Sequence, residues 1–261
     1  SAMLLDLSVH LDYALPEATD LLVQVEAADM ADQTVLSESL ETSPVSHFVR
    51  VPAEDGLGHR IWLRASERFA CTYQARVSID RRAQDLAALR AVPPHLLPGE
   101  TVRYLMPSRY CPSDEFQAFM AAEFGHLHGG ALILALRDWI YSAFLYVPGV
   151  SNAQTTALDT FVQRQGICRD FAHVLVTLAR AAAIPARFVS VYAPRVTPPD
   201  FHAVAEVYLD GGWHLVDPSG MAAPDEIVRI GVGPDASGVA FLSAFGNLVF
   251  RAQSVAVTQV G

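Results

Sequence analysis

Apolar and polar residues alternate strictly near the start of the chain. Leu5, Leu7, Val9, Leu11 and Tyr13 are interleaved with Asp6, Ser8, His10 and Asp12. The same period returns where Phe69, Cys71, Tyr73, Ala75, Val77 and Ile79 stand against Ala70, Thr72, Gln74, Arg76 and Ser78. A period of two sends successive side chains to opposite faces, so each run predicts a strand with one buried and one wet face. Weaker strand patterns fall near 20–26, 33–40, 46–52 and 60–64. Together they predict an antiparallel, β-sandwich-like domain over residues 1–103, with Cys71 on its packed side. Pro93, Pro94, Pro98, Pro107 and Pro112 then crowd one stretch, which reads as the linker to a second domain.

Beyond the prolines the period changes to that of helices. Ser113 is placed to cap a helix with Asp114 and Glu115 in its first turn, Phe116, Phe119 and Met120 on one face, and Gly125 at its end. A second helix is expected over about 130–146. A third begins at about Cys168, since Phe171, Leu175, Leu178 and Ala182 recur at spacings of three and four. It must stop near Ala183, because Pro185 disfavours helix at Ile184. Residues 186–193 read as a strand, 194–200 as a proline-rich loop and 202–217 as a hairpin. The expected class is α+β. An N-terminal β domain (1–103) precedes a core of helices packed on an antiparallel sheet (104–225), and a C-terminal segment (226–261) adds strands that complete the β structure.

Composition narrows the function. Hydrophobic residues make up 51% of the chain and charged residues 18%, enough for a packed core and too apolar for disorder. A net charge of −10 without a Lys/Arg run argues against a nucleic-acid or anionic-membrane partner. The apolar stretch 131–150 is broken by Arg137 and Asp138, so no spanning helix is expected. The opening segment carries Asp6 and Asp12 with no basic lead, unlike a secretory signal. Three widely spaced cysteines, Cys71, Cys111 and Cys168, make neither a disulfide framework nor a zinc pattern. A reducing cytoplasm is the expected compartment.

The candidate chemistry lies in RQGICRDFAHV, residues 164–174. A cysteine at a helix start faces unpaired N–H groups and the positive end of the dipole, which favour a thiolate, the nucleophile suited to an acyl carbonyl. Gly166 is expected to ease the turn into that helix. Burial as an ordinary packed thiol is the competing reading. The hairpin weighs against it. If Asp210-Gly211 forms a two-residue turn, Val204 faces Asp217, and His202 becomes its diagonal neighbour at roughly 7–8 Å between Cα atoms. The other face of the strand, Ala203, Ala205, Val207 and Leu209, is core, so His202 and Asp217 are expected to share a non-core face. In such a set the histidine moves the thiol proton and the aspartate orients the ring. Tyr192, Asp200 and Phe201 adjoin the histidine as candidate substrate contacts. Cys168, His173 and His202 sketch a metal site only weakly, since helical residues five apart share no face, so neither metal nor cofactor is expected.

Two longer blocks, GICRDFAHVLVTLARAAAIPARFVSVY (166–192) and DFHAVAEVYLDGGWHLVDPSG (200–220), resemble the core of the bacterial transglutaminase-like proteins of the papain-like superfamily. YLMPSRYCPSDEF (104–116) resembles the segment leading into that core, and the first hundred residues are similar to the β domain often attached to it. The resemblance implies Cys168 as nucleophile, His202 as base and Asp217 as orienting carboxylate, acting on a peptide or protein amide through an acyl-enzyme. Gly233-Pro234-Asp235 stands where a Gly-Arg-Asp is expected. Three outcomes stay open: hydrolysis, which needs no acceptor site and is favoured; acyl transfer to amines; and a binding or assembly module without turnover.

Overall fold

The computed structural model describes residues 2–261. Strand β1 (Met3–Val23) runs for 21 residues and is followed by β2 (Gln33–Thr42), β3 (His47–Pro52) and β4 (His59–Ile79), also of 21 residues. The four runs expected at 5–13, 20–26, 60–64 and 69–79 are therefore halves of two long strands, paired antiparallel from Met3↔Ile79 to Val23↔Ile61. The pairing slips between Leu15 and Thr19, where Pro16, Glu17 and Ala18 stand against Ser66 alone. A proline lacks the N–H a ladder needs, so the break falls there. Apolar side chains from both halves, Leu5 to Leu15 and Leu21 to Val23, enter one buried cluster.

The proline-rich stretch that follows is ordered. Its short 3₁₀ turns, Leu86–Ala88, Pro94–Leu96 and Gly99–Leu105, run across the second unit. A single 3₁₀ turn, Ser113–Glu115, precedes α1 (Gln117–Phe124), so the helix expected from Ser113 starts later and Ser113 does not cap it. Next come α2 (Gly129–Ala143), β5 (Leu145–Tyr146), α3 (Ala157–Gln163), β6 (Gln165–Gly166) and α4 (Cys168–Ala181). Gly130 is a glycine for space: a Cβ there would lie 1.5 Å from the Leu86 carbonyl oxygen of the linker.

The remaining strands are β7 (Ala186–Tyr192), β8 (His202–Leu209), β9 (Gly212–Val216), β10 (Val228–Gly233), β11 (Leu242–Ala244) and β12 (Val249–Gln259). A four-stranded antiparallel sheet has the order β10-β7-β8-β9. α4 packs across β7 and β8, with α2 and α3 also against it. Residues Asp170 to Arg180 of α4 are buried for that reason. The last strands return to the first sheet, where β11 and β12 pair with opposite halves of β1. Tyr192, Val228 and Ile230 of the second sheet enter the buried cluster of the first, so the two sheets share a seam. Among the described residues no single helix is long and apolar enough to cross a membrane.

Candidate active site

The hairpin register follows from its turn. Asp210 (φ 48°) and Gly211 (φ 83°) both have positive φ, as a type I′ turn requires. Leu209 then pairs with Gly212, Tyr208 with Trp213 and Ala205 with Val216. Continuing that register puts Asp217 opposite Val204, diagonal to His202. His202 Nε2 donates to Asp217 Oδ2 at 2.7 Å. Asp217 is itself fixed by three further donors. Its Oδ1 accepts from Ser219 N–H at 2.9 Å and Ser219 Oγ at 2.7 Å, and its Oδ2 from Ala222 N–H at 2.9 Å.

The expected non-core face is corrected by the structure. Every residue of β8 is buried, on both sides. The face carrying His202 and Val204 is covered because the chain after Asp217 and the chain before Asp200 wrap over it, with Val204 packed among Ala193, Val196, Ala222 and Ile227. The His202–Asp217 pair is thus a buried one.

Cys168 heads α4, with extended Ile167 as its N-cap. Ile167 N–H donates to Asp170 Oδ2 at 2.9 Å, closing the first turn. Gly166 serves here by size and not by turning: a Cβ on it would lie 2.7 Å from Asp170 Cβ and 2.8 Å from Oδ2. The short parallel pairing of β5 with β6 sets Tyr146 beside Gly166. The Tyr146 ring packs edge-on against Phe171 at 5.6 Å, and its hydroxyl lies against Cys168. Burial and the neighbouring Cys168 charge push that phenol above its usual range.

Cys168 is half-buried, whereas Cys71 and Cys111 are buried. Burial raises Cys71 to about 12 and Cys111 to about 11. For His202, burial disfavours the charged ring, but the hydrogen bond to Asp217 and the bonding and charge of Cys168 outweigh it and raise the pKa from 6.5 to about 10. Its Nδ1 has no hydrogen-bond partner among the described residues, and Cys168 is the neighbouring group that adds to the upward shift. A thiol at a helix start and a ring that retains its proton make a pair able to attack a carbonyl and protonate what leaves.

Cys168 and His202 open onto a cleft of about 420 Å³ that Asp200 and Phe201 also line. Tyr192 does not line it. Fully buried at the end of β7, it donates from Oη to the Val25 carbonyl at 2.5 Å, and its ring packs against Phe201. Its place at the seam between the sheets makes it a packing residue. His173 is fully buried behind the cleft, packed against the lining residues Tyr110 and Phe188. Burial, with Arg169 near, lowers its pKa to about 3, and its neutral Nε2 accepts from Ala236 N–H at 3.1 Å. Asp235 of the divergent Gly-Pro-Asp accepts from Tyr110 N–H at 2.9 Å and from Ser237 Oγ at 2.6 Å, tying the loop after β10 to the linker. Among the described residues no group of three His, Cys, Asp or Glu side chains is placed to hold a metal ion. Sequence reasoning missed Tyr146, on a two-residue strand, and Ser219 and Ala222, on the loop after β9, none of which carries a periodic signal.

The profile of the transglutaminase-like superfamily matches residues 120–218. Over its full length the chain is 34% identical to a proposed cysteine protease from Cytophaga hutchinsonii, covers 92% of that chain, and superposes on its crystal structure with a TM-score of 0.93. The periplasmic domain of TgpA from Pseudomonas aeruginosa, bound to ethylmercury, overlaps more loosely, at 20% identity over 86% of this chain and 92% of that one, with a TM-score of 0.44. An uncharacterised protein of Mycobacterium leprae is 27% identical over 145 residues. That match takes in 52% of each chain, so this one spans about half the length of its curated relative.

Proposed function

Because the chain belongs to the transglutaminase-like superfamily, we propose that it is a thiol enzyme that hydrolyses peptide or protein amides through a Cys168 acyl-enzyme. The observation that carries this reading is the buried His202–Asp217 hydrogen bond of 2.7 Å, with Cys168 at the head of α4 as a further neighbour of the ring. The Cys168 sulfur attacks the carbonyl carbon, and the carbonyl electron pair moves onto oxygen. His202, holding the thiol proton, passes it to the leaving nitrogen. The C–N bond breaks and a thioester remains. Water then attacks the thioester and gives a proton to His202. The C–S bond breaks, the acid departs, and the proton returns to sulfur. The developing oxyanion is met by the Cys168 backbone N–H and the Tyr146 hydroxyl, a phenol that keeps its proton.

A cleft open at the thiol supports turnover over a purely binding role. Hydrolysis is favoured over transfer because water needs no dedicated acceptor site. The test supplies a glutamine peptide and a labelled primary amine to the purified protein. Acid release should outrun amine incorporation, and Cys168→Ala should abolish both. Amine incorporation in excess of acid release would replace the hydrolase reading with a transglutaminase.

A further inference from the structure

The wall of the cleft beside Cys168 is mainly carbon. Phe188 and Ala203 come from the second sheet, Phe201 stands just ahead of His202, and Val239, Ala240 and Phe241 come from the loop between β10 and β11. Phe201 and Phe241 stack face to face, 4.4 Å between ring centres at 7°. Tyr192 packs against Phe201 and is tied by its hydroxyl to the first sheet, so this wall is backed by the seam between the sheets. On the other side His173 lies between the Tyr110 and Phe188 rings at 5.2 and 5.0 Å, and its bond from Ala236 N–H anchors the start of the loop.

Two charged residues on the cleft, Asp200 and Arg169, are tied to the protein around them. Asp200 Oδ1 accepts from Gln253 Nε2 and from Phe201 N–H, both at 2.7 Å. Arg169 Nη1 donates to the carbonyls of Asn152 and Thr155 at 3.3 Å and to Asp170 Oδ1 at 3.1 Å. What remains free is a concave apolar surface of about 420 Å³, within the size range of ligand pockets and ample for one large side chain. A short polar side chain would leave most of it wet, while a benzyl or isobutyl group would cover it.

We infer that this cleft is a subsite for a large apolar or aromatic side chain of the acyl donor, seated beside the carbonyl that Cys168 attacks. The inference rests on the acyl-enzyme reading of Cys168 and names the class of substrate that reading leaves open. Its test uses the N-acetyl chloromethyl ketones of phenylalanine, leucine, alanine and aspartate on the full chain. Alkylation at Cys168 is followed by mass spectrometry, with iodoacetamide as the reagent that needs no subsite. The phenylalanine and leucine ketones should inactivate roughly 10- to 100-fold faster than the alanine ketone, the range expected for burying such a side chain, with the aspartate ketone slowest. Ala240→Trp, a change at an exposed residue that fills the cleft, should cut the phenylalanine-to-alanine ratio by about tenfold. Rapid iodoacetamide labelling of Cys168 with equal rates for all four ketones would overturn the subsite and leave the acyl-enzyme reading standing. Failure of Cys168 to outpace the other two cysteines with iodoacetamide would overturn both.

Discussion

His202 keeps its proton because Asp217 is immobilised first. A carboxylate that accepts from Ser219 twice and from Ala222 cannot turn away from the ring. A folded pKa of about 10, above the ordinary 6.5, fixes the sign of the pH dependence. The stabilisation from the charged ring is fully present below about pH 6.5 and is lost as pH rises through about 10. The Tm advantage of the native protein over His202→Gln should therefore shrink between pH 6.5 and 10.5; an advantage that grows over that range would contradict the assignment. Tyr146→Phe, which deletes the proposed second oxyanion donor, should lower kcat by roughly 100-fold with little change in KM, and an unchanged kcat would remove Tyr146 from the mechanism. His202 and Asp217 were legible in the sequence because Asp210-Gly211 sets the hairpin register and the register sets the diagonal. Tyr146 was not, because a two-residue strand has no period to read. Tyr192 was misread because adjacency to the histidine in sequence does not reveal the seam behind it.

Among the elements, α4 was legible because apolar spacing of three and four over its length had a firm stop at Pro185. Continuous β1 and β4 were not, because Pro16 interrupts the alternation on one strand while the pairing resumes beyond it. The seven-residue α3 was too short for periodicity, although its Thr156–Asp159 capping box was a readable signal. The approach of α4 to β6 is the element contact on which the position of Cys168 depends. Gly166→Ala would force a Cβ to within 2.7 Å of Asp170 and disturb the Ile167–Asp170 bond that closes the first turn. A loss of about 1–3 kcal/mol is expected in urea unfolding, together with slower alkylation of Cys168. Stability and alkylation rate both equal to those of the native protein would show that Gly166 is dispensable.

Across the whole molecule the two sheets are joined by charge as well as by the apolar seam. Glu206, fully buried on β8, accepts from Arg187 at 3.3 Å and Arg229 at 3.1 Å. Arg187 reaches Asp55 ahead of β4 at 2.9 Å, and Arg229 reaches Asp32 ahead of β2 at 3.1 Å. Removing Glu206 would leave two buried guanidinium groups without their shared partner. Glu206→Ala should cost about 3–5 kcal/mol. The exposed Arg64–Asp20 pair, although 2.7 Å long, should yield under about 1 kcal/mol on Asp20→Asn. Denaturant unfolding of both variants checks the contrast, and equal losses would contradict it. This chain of ions was not legible in the sequence, since Asp55, Asp32 and Glu206 are far apart along it.

The protein carries its own controls for the claim that Cys168 is a nucleophile. Cys71 and Cys111 are buried thiols that burial raises to about 12 and about 11. Iodoacetamide labelling of the native protein at pH 6 to 7, resolved site by site by mass spectrometry, tests the claim most directly. Cys168 should be alkylated first, and His202→Ala should slow it, because the imidazolium no longer stabilises the thiolate. Labelling of Cys168 no faster than that of Cys71 and Cys111 would contradict the account.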